Sequence, residues 1–204
     1  YININYLSTM ATFLLIFTAT AQASVCIVKD GEVLGCSETA DQKTHASFIQ
    51  PAIESLCKQT SIPLSSIDAI SISMGPGSYT GLRVGMATAK GIAYAMGKPL
   101  IGINTLQIMA AAAKLKYPNH NSAICPLLDA RRMEVFTGIY SHNLEPITPS
   151  TALILDAQSF NNELAKEAIL FALLANEAVA GTPLFAGGHA TKIPITMGKI
   201  SFPI

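Results

Sequence analysis

Apolar residues alternate with short polar breaks over residues 12–38 and then recur at helical spacing, and this change of period divides the first half of the chain into elements. Residues 12–20, 24–29 and 32–38 are predicted as three β-strands, and Lys29-Asp30-Gly31-Glu32 carries the Asp-Gly signal of a tight hairpin. Ile49, Ala52, Ile53 and Leu56 fall on one stripe of a helix predicted over residues 45–59, and Pro63 stops its extension. An apolar strand at 67–74 then passes through Gly75-Pro76-Gly77-Ser78-Tyr79-Thr80-Gly81 into a helix at 82–96, with Gly97 as its C-terminal residue and a strand at 99–103. The order βββαβαβ makes one α/β lobe over residues 10–104. A second, shorter lobe over 105–204 is predicted to begin with a helix at 105–115 and strands at 123–129 and 134–141. Beyond Pro146 the pattern weakens to a helix at 161–174, a strand at 184–186 and the turn Gly187-Gly188-His189.

The glycine-rich turn between an apolar strand and a helix aims backbone N–H groups at whatever lies above it. Its spacing, Gly75, Gly77 and Gly81, has one residue more than the dinucleotide fingerprint, and no Lys-Ser or Lys-Thr pair follows as in a Walker A loop. Gly75-Pro76-Gly77-Ser78-Tyr79 also lacks the last glycine of a nucleophile elbow. From spacing alone, the glycines satisfy backbone angles and bind nothing. Gly81, Gly85, Ala89 and Ala93 recur every four residues and form a face almost without side chains, suited either to the protein's own sheet or to a second helix. Met86, Lys90 and Tyr94 form a different stripe.

Thirteen basic and 13 acidic residues cancel, and no basic cluster exceeds Arg131-Arg132, so the chain lacks the cationic stripe of a free-standing nucleic-acid binder. Only 13% of residues are charged and 50% are apolar, with a mean hydropathy of +0.40. A large core or an apolar surface kept for a partner explains this equally well. Cys26, Cys36, Cys57 and Cys125 show no CxxC spacing, which excludes a zinc module. Cys26 and Cys36 face each other across the predicted hairpin, but buried free thiols are expected. Ala21-Gln22-Ala23 imitates a signal-peptidase site, yet no Lys or Arg precedes Lys29, so this region is assigned to strands. The longest apolar run, 165–180, contains Lys166, Glu167, Asn176 and Glu177 and does not suit a membrane span. A cytoplasmic location follows as the expectation.

The ordered run GPGSYTGLRVGMATAKGIAYAMGKPLIGINTL over residues 75–106 closely resembles the signature of the TsaB (YeaZ) family. Residues 13–20, Thr44-His45-Ala46 and residues 128–136 extend the resemblance from about residue 11 to 140, with a weaker echo at 184–192. It implies an actin-like ATPase (ASKHA, ribonuclease H-like) fold, a mixed sheet with helices, and a second lobe of the same type that is shorter here than the family's. Residues 1–9 fit no family pattern and are expected to precede a start at Met10. The resemblance further implies a non-catalytic partner of TsaD in making threonylcarbamoyladenosine (t6A) at position 37 of tRNAs that read ANN codons. In that scheme TsaC-type enzymes make threonylcarbamoyl-AMP, and TsaD transfers the threonylcarbamoyl group to N6 of the adenosine. The chain would form a heterodimer with TsaD, recruit the ATPase TsaE, and meet tRNA only through the complex. Alone, it would pair as a homodimer through the same helices. ATP or ADP would sit at the complex interface and not in the isolated chain.

Several positions depart from catalytic relatives. Phe17 stands where actin-like enzymes carry an acidic residue, and Ala21 where a second acid often occurs; neither side chain organises Mg²⁺. Thr105 and Met109 occupy the positions of the two metal-binding histidines of TsaD, and His45, His120, His142 and His189 share no ligand spacing. No catalytic or metal site is therefore expected, and the histidines are assigned to the surface or to caps. The resemblance implies that the two helices pair with the equivalent helices of TsaD, and from their stripes the interface is expected to use Ile49, Ile53, Leu56, Met86, Lys90 and Tyr94. Arg83, in the first turn of its helix, opposes the helix dipole and calls for a partner: a carboxylate within the chain, a capping contact in the turn, or an anion at the junction with TsaD and TsaE. Asp129, Arg131, Arg132 and Glu134 are expected to form a salt-bridged turn. Two competing classes remain. A glycoprotease-like metallopeptidase requires bound metal and peptide cleavage, whereas a small actin-like ATPase requires a thermal shift of the isolated chain with Mg-ATP.

Overall fold

Alternate residues of β1 (Thr12–Phe17) are buried, with Leu14 and Ile16 turned into the core, as the period of a strand demands. This strand sits at the centre of a five-stranded sheet ordered β3-β2-β1-β4-β5. It runs antiparallel to β2 (Ala23–Lys29), which continues through the Asp30-Gly31 turn into the edge strand β3 (Glu32–Thr39). On its other side it runs parallel to β4 (Ala69–Ser73), itself parallel to β5 (Leu100–Ile103). The computed structural model describes residues 11–41, 44–119, 121–156, 159–164, 169–174 and 195–196. It divides into two compact units between Asn104 and Thr105.

In the first unit, α1 (His45–Thr60) and α2 (Tyr79–Met96) pack on the sheet and against each other. Ile49, Ile53 and Leu56 of α1 and Ala89 and Ala93 of α2 share one buried cluster with Leu14, Val25, Ile27, Ile70 and Ile72. Both helices end on a left-handed residue, Ser61 and Gly97, as helix C-termini commonly do. Helix α2 begins three residues earlier than its apolar period indicates, because Ser78 Oγ accepts a hydrogen bond from Gly81 N and so caps the first turn.

The second unit holds α3 (Thr105–Lys116) and a sheet ordered β10-β9-β6-β7-β8. Its strands are β6 (Ala123–Arg131), β7 (Glu134–Thr137), β8 (Thr151–Ile154), β9 (Ile169–Leu174) and β10 (Ile195–Thr196). The expected helix at 161–174 is replaced by a single turn, α4 (Asn161–Leu164), and by β9, which runs parallel to β6. Ile169-Leu-Phe-Ala-Leu-Leu174 is a short apolar run, and such a run fits a buried strand as well as a helix, so periodicity misassigned it. β8 carried no usable signal, since three of its four residues are exposed at a sheet edge. The strand and turn expected at 184–189 lie outside the described residues.

Cys26 and Cys36 are joined in a disulfide, contrary to the expectation of free thiols. The hairpin register sets them directly opposite, with Cα atoms 4.1 Å apart, and that proximity decides their pairing. Cys57 and Cys125 are not in disulfides; Cys125 Sγ lies 3.2 Å from Thr137 Oγ1, and burial pushes the Cys57 thiol up. Among the described residues no helix is long and apolar enough to cross a membrane.

Candidate functional site

The glycine turn makes contact with the chain itself. After β1, residues 18–19 cross directly over the start of α2. Ser78 N donates to Ala19 O at 2.6 Å, Leu82 N donates to Ser78 O at 2.8 Å, and Gly81 N is taken by the Ser78 cap. These three amides are satisfied within the chain. The glycines permit the crossing: a Cβ at Gly77 would strike Ala19 O, one at Gly81 would strike Thr18 O, and one at Gly85 would strike Thr18 Oγ1. Gly77 also has φ +152°, and the peptide bond between Gly75 and Pro76 is cis. The stripe Gly81, Gly85, Ala89 and Ala93 is accordingly buried within the protein's own unit, against its strands, the crossing segment and α1, and is closed to a partner's helix.

Phe17 is buried at the end of β1, where it adds to the core. His45, expected at the surface or in a cap, is 2% exposed; its Nε2–H donates to Ala21 O at 3.2 Å and ties the loop after β1 to α1. Its Nδ1 and the Thr18 hydroxyl are buried without hydrogen-bond partners. His142 is half-buried, and His120 and His189 lie outside the described residues. Among the described residues no three His, Cys, Asp or Glu side chains gather to hold a metal.

Of the contacts expected for Arg83, the described residues hold one within its own helical turn and no carboxylate: its Nη1 donates to the Tyr79 hydroxyl at 3.1 Å, with the guanidinium 5.3 Å from that ring's centroid. The turn from Asp129 to Glu134 is not salt-bridged. Asp129 Oδ1 accepts from Arg131 N at 2.7 Å, so the carboxylate serves the backbone. Among the described residues the ion pair within 4 Å is Glu54 with Lys58, on the surface of α1, where Lys58 lowers the Glu54 pKa.

The residues assigned to an interface separate into two groups. Ile49, Ile53 and Leu56 are 0%, 4% and 1% exposed and hold α1 on the sheet, so they are unavailable to a partner. Tyr94 is 92% exposed, Lys90 is exposed, and Met86 is half-buried against the core. The sequence reading missed a second small-residue stripe, Ala87, Gly91 and Ala95, which faces outward. With Gln50, Leu64 and Met96 it lines an open groove of about 260 Å³ between α1 and α2. A Cβ at Gly91 would meet nothing within 4 Å. The spacing Ala87-x3-Gly91-x3-Ala95 is as regular as the buried stripe, and plotting α2 on both sides would have revealed it.

A sheet with three antiparallel strands leading into a parallel pair, backed by two helices, is the α/β unit of the actin-like ATPase (ribonuclease H-like) class. A family model described as "TsaD: tRNA N6-adenosine threonylcarbamoyltransferase" matches residues 33–173. The tRNA threonylcarbamoyladenosine biosynthesis protein TsaB of Haemophilus influenzae is 36% identical over 125 residues, which are 61% of this chain and 52% of that protein. TsaB of Bacillus subtilis is 29% identical over 147 residues, 71% of this chain and 62% of that protein. The solved structure of YeaZ from Pseudomonas aeruginosa superposes with a TM-score of 0.62 at 26% identity, covering 72% of this chain and 68% of that one. The chain belongs to the TsaB (YeaZ) family, and its matches span 52% to 62% of the length of these curated relatives.

Proposed function

We propose that this chain is a non-catalytic scaffold of tRNA threonylcarbamoylation, which binds TsaD through α1 and α2 and supports its transfer of the threonylcarbamoyl group to N6 of adenosine 37. One observation carries the docking half of this reading: the outer side of α2 offers the small residues Ala87, Gly91 and Ala95 beside Lys90 and Tyr94, a surface on which another helix can approach closely. The absence of chemistry in this chain is supported by Phe17, Thr105 and Met109 at the acid and metal positions of catalytic relatives, and by the glycine turn, where the Ser78 and Gly81 amides are bonded to the chain itself. The scaffold would leave the reacting atoms to TsaD, with TsaE recruited to the pair.

The test is reconstitution. With TsaD, TsaE, threonylcarbamoyl-AMP supply and an unmodified tRNA, mass spectrometry of the digested nucleosides should find t6A only when this chain is present, with a loss of at least tenfold on its omission. Equal t6A without the chain would refute the role.

A further inference from the structure

The hairpin tip between β6 and β7 is built at a conformational cost that its fold does not require. Arg131, Arg132 and Met133 have φ of +72°, +54° and +62°, three consecutive residues in the left-handed region. A turn that only reversed the chain would carry Asn-Gly or Gly-Gly there without penalty. This one places two adjacent arginines, of only three in the sequence, on an exposed tip. The conformation is pinned from both sides, by Asp129 Oδ1 accepting from Arg131 N and by Leu155 N donating to Met133 O at 2.7 Å. Neither guanidinium pairs with a carboxylate among the described residues. Arginine also presents a planar fork of donors that matches phosphate oxygens in a way lysine does not.

We propose that this tip is a phosphate-contacting site for RNA, with Arg131 and Arg132 as its two contacts. The choice of RNA over an acidic protein rests on the functional reading above, which puts the chain in a complex that handles tRNA. Two contacts give modest affinity and no sequence readout, in keeping with a neutral chain that positions RNA without capturing it alone.

The experiment is fluorescence anisotropy of a labelled, unmodified tRNA transcript across a salt series, with the chain alone at low salt and with the chain bound to TsaD. The double variant Arg131→Gly/Arg132→Gly should weaken binding roughly tenfold and flatten the slope of log K against log salt by ~1.5, close to the loss of two phosphate contacts. Its melting temperature should hold or rise, because glycine adopts these angles freely. That opposite movement separates a lost contact from a lost fold. Arg131→Lys/Arg132→Lys should retain most of the salt slope. Unchanged affinity and slope in both arms would overturn the site, as would a variant that loses TsaD while keeping tRNA, since the tip would then face an acidic protein surface. If wild-type chain and TsaD form no complex, the functional reading fails, and the low-salt arm alone decides the tip.

Discussion

Gly81→Ala will lower the melting temperature of the chain by roughly 10 °C or more, although alanine is the better helix former. Helix propensity alone favours alanine by about 1 kcal/mol. At this position the added methyl would occupy the place of Thr18 O, with Ser78 Oγ and His45 Nδ1 at 3.2 and 3.3 Å closing the sides. The loop cannot retreat without cost, because Ser78 N holds Ala19 O and His45 Nε2 holds Ala21 O. Overpacking of this kind costs about 1–3 kcal/mol, and a broken buried hydrogen bond adds about 1 kcal/mol. In a unit of about 100 residues each kcal/mol moves the midpoint by about 4–8 °C. Gly91→Ala is the control of opposite sign, since open space surrounds its Cβ position and the substitution should raise the midpoint by a few degrees. Thermal unfolding followed by circular dichroism reads both, and a Gly81→Ala protein as stable as wild type would contradict the crossing described here.

Gly91→Trp should abolish docking while sparing the fold. The indole would stand on the outer side of α2, between Ala87 and Ala95, and fill the groove that a partner helix must enter. Losing close approach at the centre of an interface costs on the order of 2–4 kcal/mol, so the dissociation constant for TsaD should rise about 100-fold. The melting temperature should change by no more than a few degrees, because nothing of the chain's own lies within 4 Å of that Cβ. Isothermal titration of wild type and variant with TsaD gives the comparison. Affinity retained by a folded variant would place the interface elsewhere.

The first unit was largely legible because its signals are local and agree with one another. The Asp30-Gly31 turn fixed the hairpin, the stripe at Ile49, Ile53 and Leu56 gave α1, and Gly97 closed α2. The same stripe also misled. Apolar residues at helical spacing identify a buried face first, and Ile49, Ile53 and Leu56 belong to the core and not to a partner. The outward stripe was overlooked because small residues have no hydropathy contrast with their neighbours, so only their four-residue spacing marks them. Asp129 and Glu134 near two arginines suggested ion pairs, but sequence proximity does not encode left-handed backbone angles, and those angles commit Asp129 to a backbone amide. The second unit was harder because β9 is a bare apolar run and β8 an exposed edge, neither with a decisive period.

Size-exclusion chromatography with light scattering, on the chain mixed with its cognate TsaD, tests the scaffold claim most directly. A single species at the summed mass of one copy of each protein is expected, and its loss with Gly91→Trp. Two folded proteins eluting separately at their own masses would contradict it.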